Sequence, residues 1–180
     1  MIIKPGYAGI TYELPDDTII ADLGYGHDPV RGATYYIDRD LEVSADRGGR
    51  AAATVPPDKF IPADLSRGIP LPDNSCDFVV ASHILEHMGD PVSLCREMER
   101  VGKAGYIETP GIVQELCNNK AVHHWFVTKL GGTIYMLRKP KWYQSVEYMV
   151  PMYFPVKILL YLFRQTCYHW QGKIDVRVIA

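Results

Sequence analysis

The chain has almost no excess of charge of either sign. Nineteen Lys and Arg against twenty-one Asp and Glu leave a net charge of −2 over 180 residues. So small a balance sets up no long-range field for a polyanion, and no nucleic-acid partner is expected. Cysteine is scarce too. Cys76, Cys95, Cys117 and Cys167 lie far apart, with neither CxxC nor metal-knuckle spacing. That excludes a disulfide framework and suits reduced thiols in a cytoplasmic protein. Long hydrophobic runs are missing: the oiliest stretch, 149–163, is interrupted by Pro151, Pro155 and Lys157. It falls short of the roughly 20 apolar residues that a spanning helix needs. The opening Met1-Ile2-Ile3-Lys4-Pro5-Gly6 does not read as a signal peptide. There is no internal repeat and no low-complexity tract.

What is present is an ordinary globular composition, 47% hydrophobic and 22% charged, enough for one domain with a proper core. The pivotal stretch is Thr18-Ile19-Ile20-Ala21-Asp22-Leu23-Gly24-Tyr25-Gly26. An apolar, β-branched run ends in an acid and two spaced glycines, the pattern of a buried strand running into a tight turn. Further strands are predicted at Ala33–Asp38, Lys59–Asp64, Cys76–Ser82 and Gly105–Glu108. The run at 76–82 is nearly continuous in apolar residues, as in a strand buried on both faces. Between the last two strands, Asp90 and Pro91 open a helix whose Val92, Cys95, Met98 and Val101 recur at helical spacing. Gly102 ends it. Strand, helix, strand implies a parallel βαβ unit.

Beyond 110 the character changes. A short helix is predicted over 112–118, and Gly131-Gly132 between 123–129 and 133–138 signals a hairpin. The aromatic-rich segment 141–170 reads as helical in pieces, and Ile174–Ile179 alternates as an edge strand does. The first seventeen residues read as a polar lead-in. The architecture expected is α/β and mostly parallel, as one domain over 1–180: a core at 18–110, then a hairpin and helical segment at 111–180.

Asp22, Asp38 and Asp64 each close a predicted strand, lining carboxylates along one rim of the sheet, where α/β folds bind ligands. Such acceptors suit a ribose diol and an amine; each could equally cap a loop. On these residues the chain resembles the class I S-adenosylmethionine-dependent methyltransferases over roughly 18–110. Asp22-Leu23-Gly24-Tyr25-Gly26 is similar to the first glycine motif of that family, Asp38 to its ribose-binding acid, and Asp64-Leu65 to the pair beside the adenine. The stretch from Ile69 through His87, with Leu85-Glu86-His87, is the most specific part. The resemblance implies a Rossmann-like fold and S-adenosylmethionine held by Asp22, Gly24, Gly26, Asp38, Asp64, Leu65 and Ser82. His83 and His123 would lie near the transferred methyl. It implies methyl transfer to an oxygen or nitrogen of a small-molecule, sugar or lipid-linked acceptor. One departure stands out: only 27–33 separate the glycine turn from the second strand, too little for the usual helical crossover. The first helix is therefore expected to be reduced or missing, which also argues against a dinucleotide held at its N-terminus.

Other readings stay open. His83-Ile84-Leu85-Glu86-His87 fits HxxEH, but it directly follows a strand and Met88-Gly89-Asp90-Pro91 cuts off any long helix, so no metal is expected. His123-His124-Trp125-Phe126 opens the hairpin near an acceptor pocket, where an imidazole could act as base; Glu108-Thr109-Pro110 could also line that pocket. The 149–163 segment leaves a hydrophobic acceptor, a membrane surface and a second copy equally open. The same fold without catalysis, as a binding or scaffold protein, is the main alternative, and a nicotinamide-dependent reductase the third.

Overall fold

The computed structural model describes residues 1–39, 49–145, 148–149 and 164–179. The central sheet takes its strands from β1 (Ile20–Leu23), β2 (Tyr35–Asp38), β3 (Phe60–Pro62), β4 (Cys76–Ser82) and β5 (Gly102–Pro110). A hairpin, β6 (Trp125–Leu130) and β7 (Thr133–Arg138), precedes β8 (Gln165–Gln171) and β9 (Val176–Ile179). The main sheet runs β8-β5-β4-β1-β2-β3, parallel throughout except for β8, which pairs antiparallel with β5. The hairpin forms a second sheet with β9, which pairs in parallel with β7. The fold is therefore α/β with a mostly parallel sheet, as expected.

The helix between β4 and β5, α1 (Pro91–Val101), begins at Asp90, whose side chain accepts the Ser93 N–H. It buries Leu94, Cys95, Met98 and Val101 against one face of the sheet. Leu94 rather than Val92 completes that stripe. Arg100, on its last turn, donates to the Ile69 and Leu71 carbonyls at 2.8 and 2.9 Å and to Asp73 at 2.7 Å. Much of the conspicuous 69–87 stretch is thus a brace that fixes the loop into β4.

The first crossover is as short as its length suggested. Residues 24–34 contain turns and no helix. In place of helical hydrogen bonds, Gly24 N–H donates to Ile37 O at 2.7 Å and Val30 N–H to the Asp22 carboxylate at 2.7 Å. The Tyr36 hydroxyl donates to Val30 O at 2.8 Å.

Two expectations need correction. The lead-in is not a mere polar extension: Ile3, with Met1, Ile10, Tyr12 and Leu14, packs over Ile20, Tyr36, Phe78, Val80 and Tyr106 on the sheet face away from α1. It takes the place that crossover helices would occupy. And 165–170 is a strand, not helix: Thr166, Tyr168 and Trp170 are buried at alternate positions, the period-2 pattern of a sheet. Gly105 makes room for Trp170, because a Cβ there would lie 2.1 Å from Val79 O and 2.7 Å from the indole nitrogen. The rest of the aromatic segment, 150–163, lies outside the described residues. Among the described residues, no helix is long and apolar enough to cross a membrane.

Candidate active site

Strand alternation decides where the polar residues fall. Ile20 and Asp22, Tyr36 and Asp38, Val80 and Ser82, and Tyr106 and Glu108 share the face covered by the N-terminal segment. Within each pair the apolar residue enters the core and its partner, two positions on, reaches the strand's carboxyl end. Those ends open into a cavity of about 600 Å³. Its walls include Asp22, Gly24, Gly26, Asp38, Asp64, Leu65, Ser82, His83 and His123, whereas Glu108, Thr109 and Pro110 are not among them.

Gly24 and Gly26 turn at φ of 57° and 52°, a left-handed backbone that favours glycine. A Cβ on Gly24 would also approach Ile84 Cδ1 to 2.5 Å. Asp38 accepts the Gly26 N–H at 3.0 Å and its neighbour's Arg39 N–H at 2.7 Å, which aims the carboxylate at the glycine turn. Asp22 is fully buried, and burial lifts its carboxyl to about 8 against the pull of the Val30 hydrogen bond. Asp64 differs from expectation in position. β3 ends at Pro62, and Asp64 caps the following turn by accepting from Ser66 N–H and Oγ. It still reaches the cavity rim, with Leu65 buried beside it.

His83 adopts φ 55°, a left-handed conformation uncommon for a side-chain-bearing residue. Its Nδ1 lies 3.1 Å from Glu86 Oε1 and its Nε2 3.2 Å from Glu108 Oε1. Burial pulls the imidazole down, but the hydrogen bonds to Glu108 and Glu86 outweigh it and raise it to about 9. His83 is therefore an imidazolium held between two carboxylates. The two carboxylates thus favour its charged form and fix the ring's orientation at the cavity wall. Glu108 is held from four sides: by His83, by the Tyr106 hydroxyl, and by the backbone N–H groups of Tyr7 and Ala8 at 2.7 and 3.2 Å. Gly6 permits this approach, since a Cβ there would fall 2.5 Å from the carboxylate.

The hairpin brings the last group. Trp125 Nε1 donates to Met88 O at 2.7 Å and His124 N–H to Glu86 O at 2.7 Å, fastening the start of β6 to the turn after β4. His123 thereby meets His87, ring to ring at 4.6 Å and nearly perpendicular. The Nδ1 of His123 lies 2.8 Å from Glu115 Oε2, and Glu115 also takes the Lys139 ammonium. Glu115, Lys139 and the Tyr7 backbone were missed from the sequence. Nothing local marks a residue whose partner is on another element.

The donor and acceptor set fits S-adenosylmethionine. Rim carboxylates suit a ribose diol and a cationic ligand, Ala63, Leu65 and Ile84 offer apolar surface for a base, and the glycine turn admits close backbone approach.

Residues 27–107 match the family model of the methyltransferase domain, beginning just past the glycine turn. Among solved structures the chain is similar to a SAM-dependent methyltransferase from Aquifex aeolicus, at 18% identity, 53% of this chain, 57% of that one and TM-score 0.37. It is similar to the YcgJ protein from Bacillus subtilis at 16% identity, 62% and 56% coverage and TM-score 0.41. A third is an S-adenosylmethionine-dependent methyltransferase from Mesorhizobium loti, at 21% identity, 72% and 62% coverage and TM-score 0.40. The chain thus spans 57%, 56% and 62% of the length of these three proteins. No curated protein matches it. The domain match falls on β2 through β5 and the strand ends that wall the cavity, so over that part of its length the chain is similar to methyltransferase domains.

Proposed function

We propose that this protein transfers a methyl group from S-adenosylmethionine to an oxygen or nitrogen of a small-molecule, sugar or lipid-linked acceptor. The observation that carries the reading is the gathering of Asp22, Asp38, Asp64 and the two left-handed glycines around one 600 Å³ cavity. The cofactor supplies a methyl on a sulfonium, a centre already activated for displacement, so the protein's task is mainly positioning. In this reading Asp38 accepts from the ribose hydroxyls, and Asp64 and Leu65 border the adenine. Gly24, Gly26 and Ser82 let backbone and small side chain lie against the ligand. Asp22 holds Val30 and so keeps the shortened first crossover in place as the near wall. His83 is a fixed cation that keeps Glu86, in the cavity wall, and Glu108, behind it, ionised. His123, oriented by Glu115, presents an imidazole toward the acceptor end.

Calorimetric titration with S-adenosylmethionine and S-adenosylhomocysteine, with NAD as control, tests this. Micromolar binding of the first two and none of the third supports the reading. Binding of NAD alone, or of none of the three even with candidate acceptors added, overturns it in favour of a scaffold or a different ligand.

A further inference from the structure

We propose that Glu86, His87 and His123 form a binding site for one divalent cation of the zinc class in the wall of the cavity. One ligand atom from each lies within 4.8 Å of the other two, the one such group among the described residues. Zinc holds nitrogen and oxygen ligands at about 2.0–2.2 Å, so the three atoms must draw closer together around the ion.

Four features argue for a built site. First, the backbone holds the ligand-bearing segments together. Glu86 and His87 share a single tight turn (Leu85–His87), and His123 is delivered to it by the hydrogen bonds from His124 N–H to Glu86 O and from Trp125 to Met88 O. Second, Glu86 is 0% exposed, and while its Oε1 meets His83, its Oε2 has no hydrogen-bond partner among the described residues. A buried carboxylate oxygen left without a partner is costly, and a cation removes that cost. Third, Glu115 takes the Nδ1 of His123, leaving Nε2 for a metal. A carboxylate behind a histidine is the usual outer support of such a ligand. Fourth, all three residues line the cavity, so a fourth coordination position opens onto it, as in zinc sites that act on a bound molecule.

The donor set selects the ion. Two imidazoles and one carboxylate suit Zn²⁺, Co²⁺ or Ni²⁺; Mg²⁺ and Ca²⁺ demand oxygen. His83 and Lys139 neutralise much of the local acid, which further disfavours the hard cations. The HxxEH pattern is not what assembles here. His83 is committed to Glu86 and Glu108, and its place is taken by His123 from beyond β5.

The inference stands on the cavity geometry and not on methyl transfer. The metal-free protein is titrated with Zn²⁺ by calorimetry and with Co²⁺ by visible absorption. One equivalent is expected to bind, with the intense d–d bands of a low-coordinate cobalt site. His87→Ala, His123→Ala and Glu86→Gln should each weaken Zn²⁺ binding by more than the roughly 10–100-fold expected for Glu115→Gln. Asp38→Ala, which removes a ribose acceptor, should leave it unchanged, so loss of the cofactor reading and loss of the cation site are separately visible. Absence of the cobalt bands in the wild-type protein overturns the proposal whatever the variants do. So does a His87→Ala/His123→Ala protein, folded by circular dichroism, that still binds Zn²⁺ as the wild type does.

Discussion

The backbone N–H of Tyr7 donates to Glu108 Oε1 at 2.7 Å, joining the N-terminal segment to the end of β5 across 101 positions of sequence. Because the bond uses the main chain, the Tyr7 side chain is dispensable to it, whereas the Glu108 charge is not. Glu108→Gln removes a buried carboxylate from the His83 imidazolium and offers an amide where two N–H donors and a tyrosine hydroxyl need acceptors. Breaking a buried pair by changing one member costs about 3–5 kcal/mol. Urea unfolding should show a loss of that order for Glu108→Gln. Tyr7→Phe, which forfeits only an exposed bond to His27, should stay within about 0.5 kcal/mol. Equal losses in the two variants would mean that the side chain, not the backbone, anchors the segment.

Asp38 is the sharpest test of the cofactor site. Hydrogen bonds to a charged group are worth about 1.5–3 kcal/mol, so Asp38→Ala should weaken S-adenosylmethionine binding roughly 10–100-fold. Asp38→Asn keeps an acceptor for the Gly26 N–H and should fall in between. Calorimetry on both variants checks this, with circular dichroism confirming the fold. An unchanged affinity in Asp38→Ala would remove Asp38 from the ribose.

The order of these elements was largely legible beforehand, and the reasons are local. β4 announces itself by an unbroken apolar run, and α1 by its cap, its proline and its 3.6-residue stripe. Asp22, Asp38 and Ser82 follow from strand alternation once the strands are known. What was illegible depends on distance in sequence. Nothing in residues 1–17 says that they cover a sheet face, because their apolar residues are scattered among turns with no period. β8 was read as helix because its neighbours are aromatic and oily, while its alternation is visible only over seven residues. His123 meets His87 through a hairpin docked on a turn, a relationship no local pattern encodes. Asp64 was placed one element early, since a proline at the end of an edge strand gives no sign of where pairing stops.

Asp22 predicts a pH dependence of stability. Its carboxyl moves from the ordinary value near 4 up to about 8 on folding, through burial. The folded state therefore holds this proton more tightly than the unfolded chain does. The contribution is complete below about pH 4 and is lost as pH rises toward 8. A single proton gives at most about 1.4 kcal/mol per pH unit over that window. Asp22→Asn carries no such proton and keeps an acceptor for Val30 N–H. Urea midpoints from pH 5 to 8 should fall more steeply for the wild type than for the variant. Parallel curves would show that Asp22 is ionised in the folded protein.

Gly24 separates backbone strain from steric contact. At φ 57° an alanine has to adopt a left-handed conformation, at a cost of about 1–2 kcal/mol. Its Cβ would also sit 2.5 Å from Ile84 Cδ1, the far end of a flexible side chain that can move aside. Gly24→Ala should therefore lose about 1–2 kcal/mol from the backbone, with a further cofactor-binding defect as Ile84 is pushed within the cavity wall. Adding Ile84→Val removes the methyl that collides and should restore part of the affinity, but not the backbone cost. Unfolding and titration of the single and double variants distinguish the two effects. If Ile84→Val restored stability fully, the strain would lie in the contact and not in the turn, and the need for glycine at the start of the first crossover would be a matter of space alone.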